Sequence, residues 1–200
     1  EFDYRPGTPY GESKALGEQI VRRRAGSDFP WLLVRPTSIW GPWFGSPYRD
    51  FFMAVRRGLF AMPAGVRVLR SYGFVLNSVA QLASMANQRG EGLVGQTVYL
   101  ADYEPLDLLE WAGLIRSEMD SPRIRTAPLW LFQSAAKVGD LLKWLGYRKP
   151  PMSSFRLNNL LTEMIVDMSR VEAAYGPLPY SAKDGVRITC EWMRAAEAGR

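Results

Sequence analysis

A short apolar run bounded by two prolines most constrains how this 200-residue chain can fold. Trp31 to Val34 is continuously apolar, and Pro30 and Pro36 bound it on either side. Strands that helices cover on both faces of a parallel sheet have this pattern. A helix is predicted just before it, from Tyr10 to about Ala25. A helix followed by a buried strand favours an α/β fold.

The alternation of helix and strand continues to about residue 119. After Pro122 the predicted elements are mainly helical, and Ser181 and Asp184 have the spacing of a capping box. The pattern favours an α/β fold with a largely parallel sheet. The predicted strands are Val66 to Leu69, Phe74 to Leu76 and Thr97 to Leu100, and the later predicted helices are Asp50 to Arg57, Ser78 to Gln88, Pro105 to Met119, Leu129 to Leu145, Phe155 to Glu163 and Ala182 to Ala198.

Histidine is absent from the sequence, and Cys190 is its one cysteine. The usual zinc and iron ligand sets need these residues, as do catalytic triads built on histidine, so we expect no metal site. Cys190 is predicted to be a small core residue. The net charge of +5 suits an anionic partner, which could be nucleic acid, a membrane surface or a phosphorylated small molecule.

The first residue is Glu1, and no apolar run approaches the roughly 18 residues that cross a bilayer. We therefore expect a fragment of a cytoplasmic protein with no membrane partner.

Tyr10 and Lys14 are four residues apart at the start of the first predicted helix, so they share one face. Carbonyl–alcohol oxidoreduction uses such a pair, because a nearby ammonium favours the phenolate of a tyrosine whose pKa is ordinarily about 10. The alternative is a chance pairing on a solvated helix face.

The residues around this pair resemble the extended short-chain dehydrogenase/reductases, of the NAD-dependent sugar-nucleotide epimerase/dehydratase type. The resemblance lies in Thr8 to Lys14, in Gly17-Glu18 and in Leu33 to Pro42, where Trp40 replaces the usual turn tyrosine. Arg70 to Asn77 resembles the segment whose arginine binds the substrate diphosphate, and Asn77 stands where many members carry aspartate. The resemblance covers nearly the whole chain.

The resemblance implies a fold class of α/β, with the C-terminal part of a Rossmann-like doubly wound parallel sheet and a smaller, mostly helical substrate-binding region. Residues 1–60 would hold the catalytic helix, the buried strand and the following segment of the Rossmann-like domain. Residues 61–200 would mainly bind substrate, and the strand and helix near 97–119 could return to the main sheet.

The resemblance also implies an NAD(P)-dependent enzyme that acts on a nucleotide sugar through a transient keto intermediate. Its glycine-rich NAD or NADP segment and its catalytic Ser or Thr would lie upstream of Glu1, so the fragment alone would be inactive. The partner would be a second copy or the missing segment. In the implied site Tyr10 is the general acid/base, and Lys14 assists Tyr10 and holds the cofactor ribose. The residues that line the nicotinamide are Pro36, Thr37, Ser38 and Ile39. The residues that contact substrate are Ser38, Arg70 and Asn77.

Two other functions remain open. One is a non-catalytic dinucleotide-binding protein of the same fold, which the presence of both Tyr10 and Lys14 disfavours. The other is nucleic-acid binding, which the scattered arginines disfavour. Gly90 to Gly95 matches a G-x-G-x-x-G pattern, but a helix precedes it and a strand follows, the reverse of a phosphate-binding turn.

Two groups of side chains have structural interpretations. Arg35 and the cluster Arg22 to Arg24 are expected to be solvated surface residues. Trp40, Trp43, Phe44 and Tyr48 either stack a nucleotide base or anchor a loop in the core.

Overall fold

The computed structural model describes residues 7–25, 29–87, 92–147 and 150–199. The helices there are α1 Pro9–Arg24, α2 Tyr48–Arg56, α3 Val75–Asn87, α4 Leu108–Glu118, α5 Leu129–Trp144, α6 Ser154–Leu161, α7 Ser169–Tyr175 and α8 Ala182–Ala198. The strands are β1 Leu32–Pro36, β2 Ser38–Trp40, β3 Ala61–Pro63, β4 Leu69–Arg70, β5 Tyr72–Phe74, β6 Gln96–Leu100, β7 Leu106–Asp107 and β8 Arg125–Ala127.

The strands pair two by two, and most of the pairs are parallel. β1 pairs with β6, β2 with β5 and β3 with β8, all in parallel, whereas β4 and β7 are antiparallel. In the longest pair Leu33 lies opposite Thr97 and Pro36 opposite Leu100. The α/β class with mainly parallel pairing is confirmed.

Several predicted boundaries are wrong because tertiary contacts fix them. The strand expected at Val66 to Leu69 forms only at Leu69–Arg70, and the one expected at Phe74 to Leu76 ends at Phe74, where α3 follows directly. The helix expected from Pro105 begins at Leu108, because Asp107 pairs with Leu69 and its carboxylate then accepts hydrogen bonds from the first turn of α4. β2, β3, β8 and α7 have no counterpart among the predicted elements.

β1 is less buried than its apolar run suggests. Residues Leu32 to Arg35 are half-buried and Pro36 is exposed. Leu32 and Val34 pack against a small core that includes Val98 of β6 and Val171 of α7. The expectation of a strand buried on both faces is therefore wrong for the residues that the structure describes.

The main core forms around Trp40 at the end of β2. The Trp40 ring centroid lies 5.1 Å from that of Trp111, 5.2 Å from Phe74 and 5.9 Å from Phe52. All four rings are buried. Aromatic pairs at these separations stabilise a core beyond the area that they bury.

Three of the four aromatic residues with two interpretations are packed into this core. Trp40 is buried, and Phe44 and Tyr48 pack against it, as loop anchors would. Trp43 is 86% exposed, with its ring 5.7 Å from that of Trp192. Cys190 is a buried core residue, as expected, and burial raises the pKa of its thiol to about 12.

α8 closes the core and begins where the sequence predicted. The Ser181 hydroxyl accepts from the Asp184 amide at 3.2 Å, and the Asp184 carboxylate accepts from the Ser181 amide at 3.1 Å, so the capping box is confirmed. Gly185 in the first turn lets the helix approach the aromatic rings. A Cβ at Gly185 would lie 2.8 Å from Trp40 Cη2 and 3.0 Å from Phe74 Cγ.

We expect Gly185→Ala to lower the free energy of unfolding by roughly 2 kcal/mol, because a methyl group forces rigid core rings apart. Gly113→Ala in α4 is the matched control: no atom lies within 4 Å of its Cβ position, so the better helix propensity of alanine should leave stability unchanged or slightly higher. Urea unfolding of both variants measures the difference. Equal effects would contradict this packing.

Candidate active site

Tyr10 and Lys14 lie on the exposed side of α1, near its beginning. The Thr8 hydroxyl caps the helix by accepting from the Gly11 amide at 3.1 Å, and Pro9 occupies the first helical position. The Lys14 ammonium lies 5.3 Å from the centroid of the Tyr10 ring, and Tyr10 is 73% exposed. The phenol and the ammonium therefore share one accessible space.

A bidentate ion pair fastens α1 to β1. Arg35 Nε donates to Glu18 Oε1 at 2.8 Å, and a terminal guanidinium nitrogen donates to Oε2 at 2.7 Å. Both side chains are partly buried, and the guanidinium lies 5.9 Å from the Tyr99 ring centroid. The hydrogen bonds with Glu18 raise the pKa of Arg35. The expectation that Arg35 is a surface arginine is therefore wrong.

A second contact sets the alignment of α1 along the sheet. Arg22 donates a hydrogen bond to the hydroxyl of Thr97, and its guanidinium lies 5.3 Å from the Trp31 ring centroid. Arg22 is therefore packed on the sheet, and the expectation that it is solvated is wrong. Thr97 is the partner of Leu33, whereas Glu18, one helical turn earlier, is bonded to Arg35.

These two contacts show how the site residues line up. Four residues of helix rise about 6 Å, and two residues of strand advance about 6.6 Å. Each turn toward the start of α1 therefore advances two residues along β1. From this register we expect Lys14 to lie toward Thr37 and Tyr10 toward Ile39, beyond the end of β1.

The segment Pro36 to Ile39 begins at the last residue of β1, at the end of the strand where parallel sheets bind ligands. Thr37 donates from both its amide and its hydroxyl to the Leu100 carbonyl, each at 3.1 Å. Ser38 and Ile39 then enter β2, where Ile39 pairs with Gly73. A Cβ at Gly73 would be 2.6 Å from Ile39 Cδ1, so glycine allows this close approach.

Arg70 lies at the end of β4 and bonds to main-chain carbonyls. Its Nε donates to Thr162 at 2.8 Å, and a terminal nitrogen donates to Asn159. The Ser71 amide donates to the Met164 carbonyl in the same region. Arg70 thus helps to hold the segment after α6, and a contact with substrate phosphate stays a prediction.

Asn77 is completely buried in the first turn of α3. Its amide nitrogen donates to Asp102 Oδ1 at 3.0 Å and to the Tyr180 carbonyl at 2.9 Å, and its oxygen accepts from the Tyr180 amide at 3.1 Å. Asp102 also accepts from the Phe74 amide. Burial raises the pKa of Asp102 to about 6. A substrate contact by Asn77 stays a prediction.

Sequence reasoning missed a cavity of about 470 Å³ beside Asp102. Tyr72, Tyr103 and Tyr180 line it, together with Glu110 and Glu172. The sequence feature that could have indicated this cavity is Asp102, which lies just after the end of β6. A lining this rich in carboxylates disfavours a phosphate ligand.

The glycine-rich match at Gly90 to Gly95 lies partly outside the described residues. Its described end, Gly92 to Gly95, is a turn into β6, and both glycines have positive φ. The Gly95 amide donates to the Trp31 carbonyl at 2.7 Å. A strand follows this turn, as expected for a structural loop.

The sequence of the chain is similar to that of a known enzyme. No protein-family model matches the chain. A 4-hydroxy-2-methyl-3-oxo-4-farnesyl-3,4-dihydroquinoline-1-oxide ketoreductase of Stigmatella aurantiaca is 30% identical over 139 residues, which are 69% of this chain and 41% of the relative.

Solved structures of higher coverage agree on the architecture. A UDP-glucuronic acid 4-epimerase from Bacillus cereus in complex with NAD matches 96% of this chain with a TM-score of 0.64 at 12% identity. The chain has the fold of the carboxyl-terminal part of a Rossmann-like epimerase. The human epimerase family protein SDR39U1 with NADPH matches 90%, also with a TM-score of 0.64 and 12% identity.

The resemblance to the extended short-chain dehydrogenase/reductases therefore holds at the level of the fold. The chain spans 54% and 55% of these two solved chains, and 41% of the curated relative. Among the described residues, no helix has both the length and the apolarity needed to cross a bilayer.

We expect Asn77→Asp to destabilise the protein by roughly 3 kcal/mol at pH 7, because a second carboxylate would face Asp102 and the Tyr180 carbonyl. The loss should be smaller at pH 5. A carboxyl whose pKa is raised in the folded state stabilises the fold when protonated, and that stability is lost as the pH rises through the raised value.

Urea unfolding at both pH values tests this, with exposed Asn158→Asp as the control. The control should change stability little at either pH. An equal loss at pH 5 and pH 7 for Asn77→Asp would contradict the proposed charge repulsion.

Proposed function

We propose that the complete protein is an NAD(P)-dependent epimerase or dehydratase that acts on a nucleotide sugar through a transient keto intermediate. The observation that carries this proposal is the Tyr10–Lys14 pair, exposed on α1, the helix that the Glu18–Arg35 ion pair fastens to β1. The fold around the pair supports it, because solved structures with this architecture include a nucleotide-sugar epimerase with NAD.

The residues on this side of the sheet fit a nicotinamide dinucleotide. Lys14 offers an ammonium for ribose hydroxyls, and Pro36 to Ile39 offer a polar main chain and the apolar side chain of Ile39 for the nicotinamide ring. When bound, the cofactor supplies the hydride acceptor for alcohol oxidation and the hydride donor for ketone reduction.

Tyr10 is the group that moves the proton. Its phenolate takes the hydroxyl proton when the substrate alcohol is oxidised, and its phenol returns a proton to oxygen when the ketone is reduced. The Lys14 ammonium lies 5.3 Å from the centroid of the Tyr10 ring, and in the proposed reaction it holds the cofactor ribose. The Glu18–Arg35 pair acts through position, because it holds the helix that carries both groups.

Arg70, Ser38 and Asn77 complete the proposed substrate site. Two of the five donors of the Arg70 guanidinium go to main-chain carbonyls, which leaves donors for an oxyanion such as a diphosphate. Ser38 follows the nicotinamide segment directly and offers a hydroxyl. Asn77 contributes by fixing Asp102 and Tyr180 at the edge of the neighbouring cavity.

A second candidate is the one-way reduction of a ketone on a lipophilic substrate. The observation that favours it is the 30% identity to a ketoreductase whose named substrate carries a farnesyl group. The same Tyr10 and Lys14 chemistry would serve it, without need of a diphosphate contact at Arg70. A non-catalytic dinucleotide-binding role would need neither Tyr10 nor Lys14.

For the full-length protein we expect Tyr10→Phe to lower kcat by at least about a hundredfold with little change in KM, because it removes the proton donor and leaves the ring. Tyr147→Phe, at a tyrosine that is 57% exposed, is the control. Stopped-flow absorbance of the reduced nicotinamide measures turnover. Full activity of Tyr10→Phe would overturn the assignment of Tyr10.

Substitution of Arg70 should affect the two proposed substrate classes differently. With a UDP-sugar substrate, Arg70→Met should raise KM about tenfold or more, since it removes a charged hydrogen bond to phosphate. With a farnesylated dihydroquinoline ketone, KM should not change. Activity assays of the wild-type protein and the variant on both substrates decide between the two, and turnover of the ketone alone would favour the second candidate.

A further inference from the structure

α5 is apolar on two opposite sides. Its inner side packs Phe132 and Ala136 against Leu157 of α6. At Gly139 a Cβ would lie only 1.7 Å from the Met152 carbonyl oxygen, so the helix sits closely on the chain after it. The α5–α6 unit thus has its own small core on this side.

The outer side of α5 is an exposed aliphatic stripe. Leu131, Val138 and Leu145 are seven residues apart, and Leu141 lies between the last two. At 100° per residue they lie together on the side away from Phe132 and Ala136. Each is 43–65% exposed. We call these four residues the α5 stripe.

Large aromatic side chains flank the α5 stripe. Trp130 at one end of the helix is 61% exposed, and Trp144 and Tyr147 at the other end are 80% and 57% exposed. Phe155 of α6 is exposed as well. Tryptophan and tyrosine concentrate where an apolar phase meets water, because their rings are apolar and their N–H or O–H stays hydrated.

The charge of the chain is concentrated in the same segment. Residues 121–162 contain seven basic residues and one acidic residue, a net charge of +6, whereas the whole chain is +5. The one acid, Asp140, accepts from the Ser154 amide at 3.1 Å. Lys137 and Lys143 lie on α5 itself and are exposed. The rest of the chain therefore has a net charge of about −1.

From this combination we infer that the α5 stripe docks on an anionic membrane surface, with α5 lying in the plane of the interface. Helices that bind in this way combine an aliphatic face, flanking aromatic residues and basic residues that reach lipid headgroups. In this arrangement α5 lies along the bilayer surface and does not cross it. It departs from the sequence-based expectation of no membrane partner.

The charge distribution selects this occupant over a second copy of the chain. Two stripes face to face would bring two segments of +6 together, and like charges at an interface oppose association. Nucleic acid would contact the basic residues but would leave the α5 stripe exposed to water. An anionic bilayer satisfies both the aliphatic and the basic side chains.

The test is flotation of the full-length protein with vesicles of equal parts phosphatidylglycerol and phosphatidylcholine. We expect binding that is at least about tenfold stronger than to phosphatidylcholine alone and that weakens with added salt. Leu145→Glu should weaken binding about tenfold or more, because it places a carboxylate in the aliphatic face.

Leu59→Glu is the matched control, because Leu59 is 73% exposed and Leu145 is 65% exposed. It should bind like the wild-type protein. Lys137→Gln/Lys143→Gln should weaken binding to the anionic vesicles only, which tests the charge without altering the stripe. An unchanged thermal unfolding midpoint shows that the variants are folded.

Three results would overturn the proposal: no binding of the wild-type protein to anionic vesicles, equal loss for Leu145→Glu and Leu59→Glu, or a dimer in sedimentation velocity that Leu145→Glu dissociates while vesicle binding is absent. The last would show that the stripe joins two copies.

Discussion

The ion pair between Glu18 and Arg35 is the interaction on which the candidate site depends. α1 buries little apolar surface, with Ala15 as its one buried residue, so packing alone does not fix it on the sheet. A bidentate, partly buried pair resists both sliding and rotation of the helix, because both oxygens must stay aligned with the guanidinium. The seat of α1, the helix that carries Tyr10 and Lys14, on β1 and β6 follows from this contact and from the neighbouring bond of Arg22.

Aromatic packing ties the far end of the proposed nicotinamide segment to the main core. Trp40 ends β2 immediately after the proposed nicotinamide segment, and its ring contacts Phe74, Trp111 and Phe52. Because Trp40 is buried in this cluster, the adjoining Ser38 and Ile39 are anchored at one end. Binding sites that rest on such a core keep their geometry without the aid of a ligand.

Local sequence rules predicted the elements with strong local signals. The spacing of apolar residues and the capping residues were enough for α1, α5 and α8, which begin and end within a residue or so of the prediction. They were not enough for β4, β7 and the start of α4, because two-residue strands exist only through their partners. Arg35 was expected at the surface for the same reason: a charged side chain looks solvated until its partner, 17 residues away, is known.

The sequence by itself determined the α/β class, the helix that presents Tyr10 and Lys14 on one face, and the core role of Cys190. These could be predicted because the spacing of apolar residues and the chemistry of single side chains carry them locally in the sequence. Only the tertiary structure decided the alignment of α1 with β1, the internal bonding of Asn77, and which side of α5 stays exposed. Each of these depends on residues brought together from distant parts of the chain, and pairing across such distances leaves no local pattern to read.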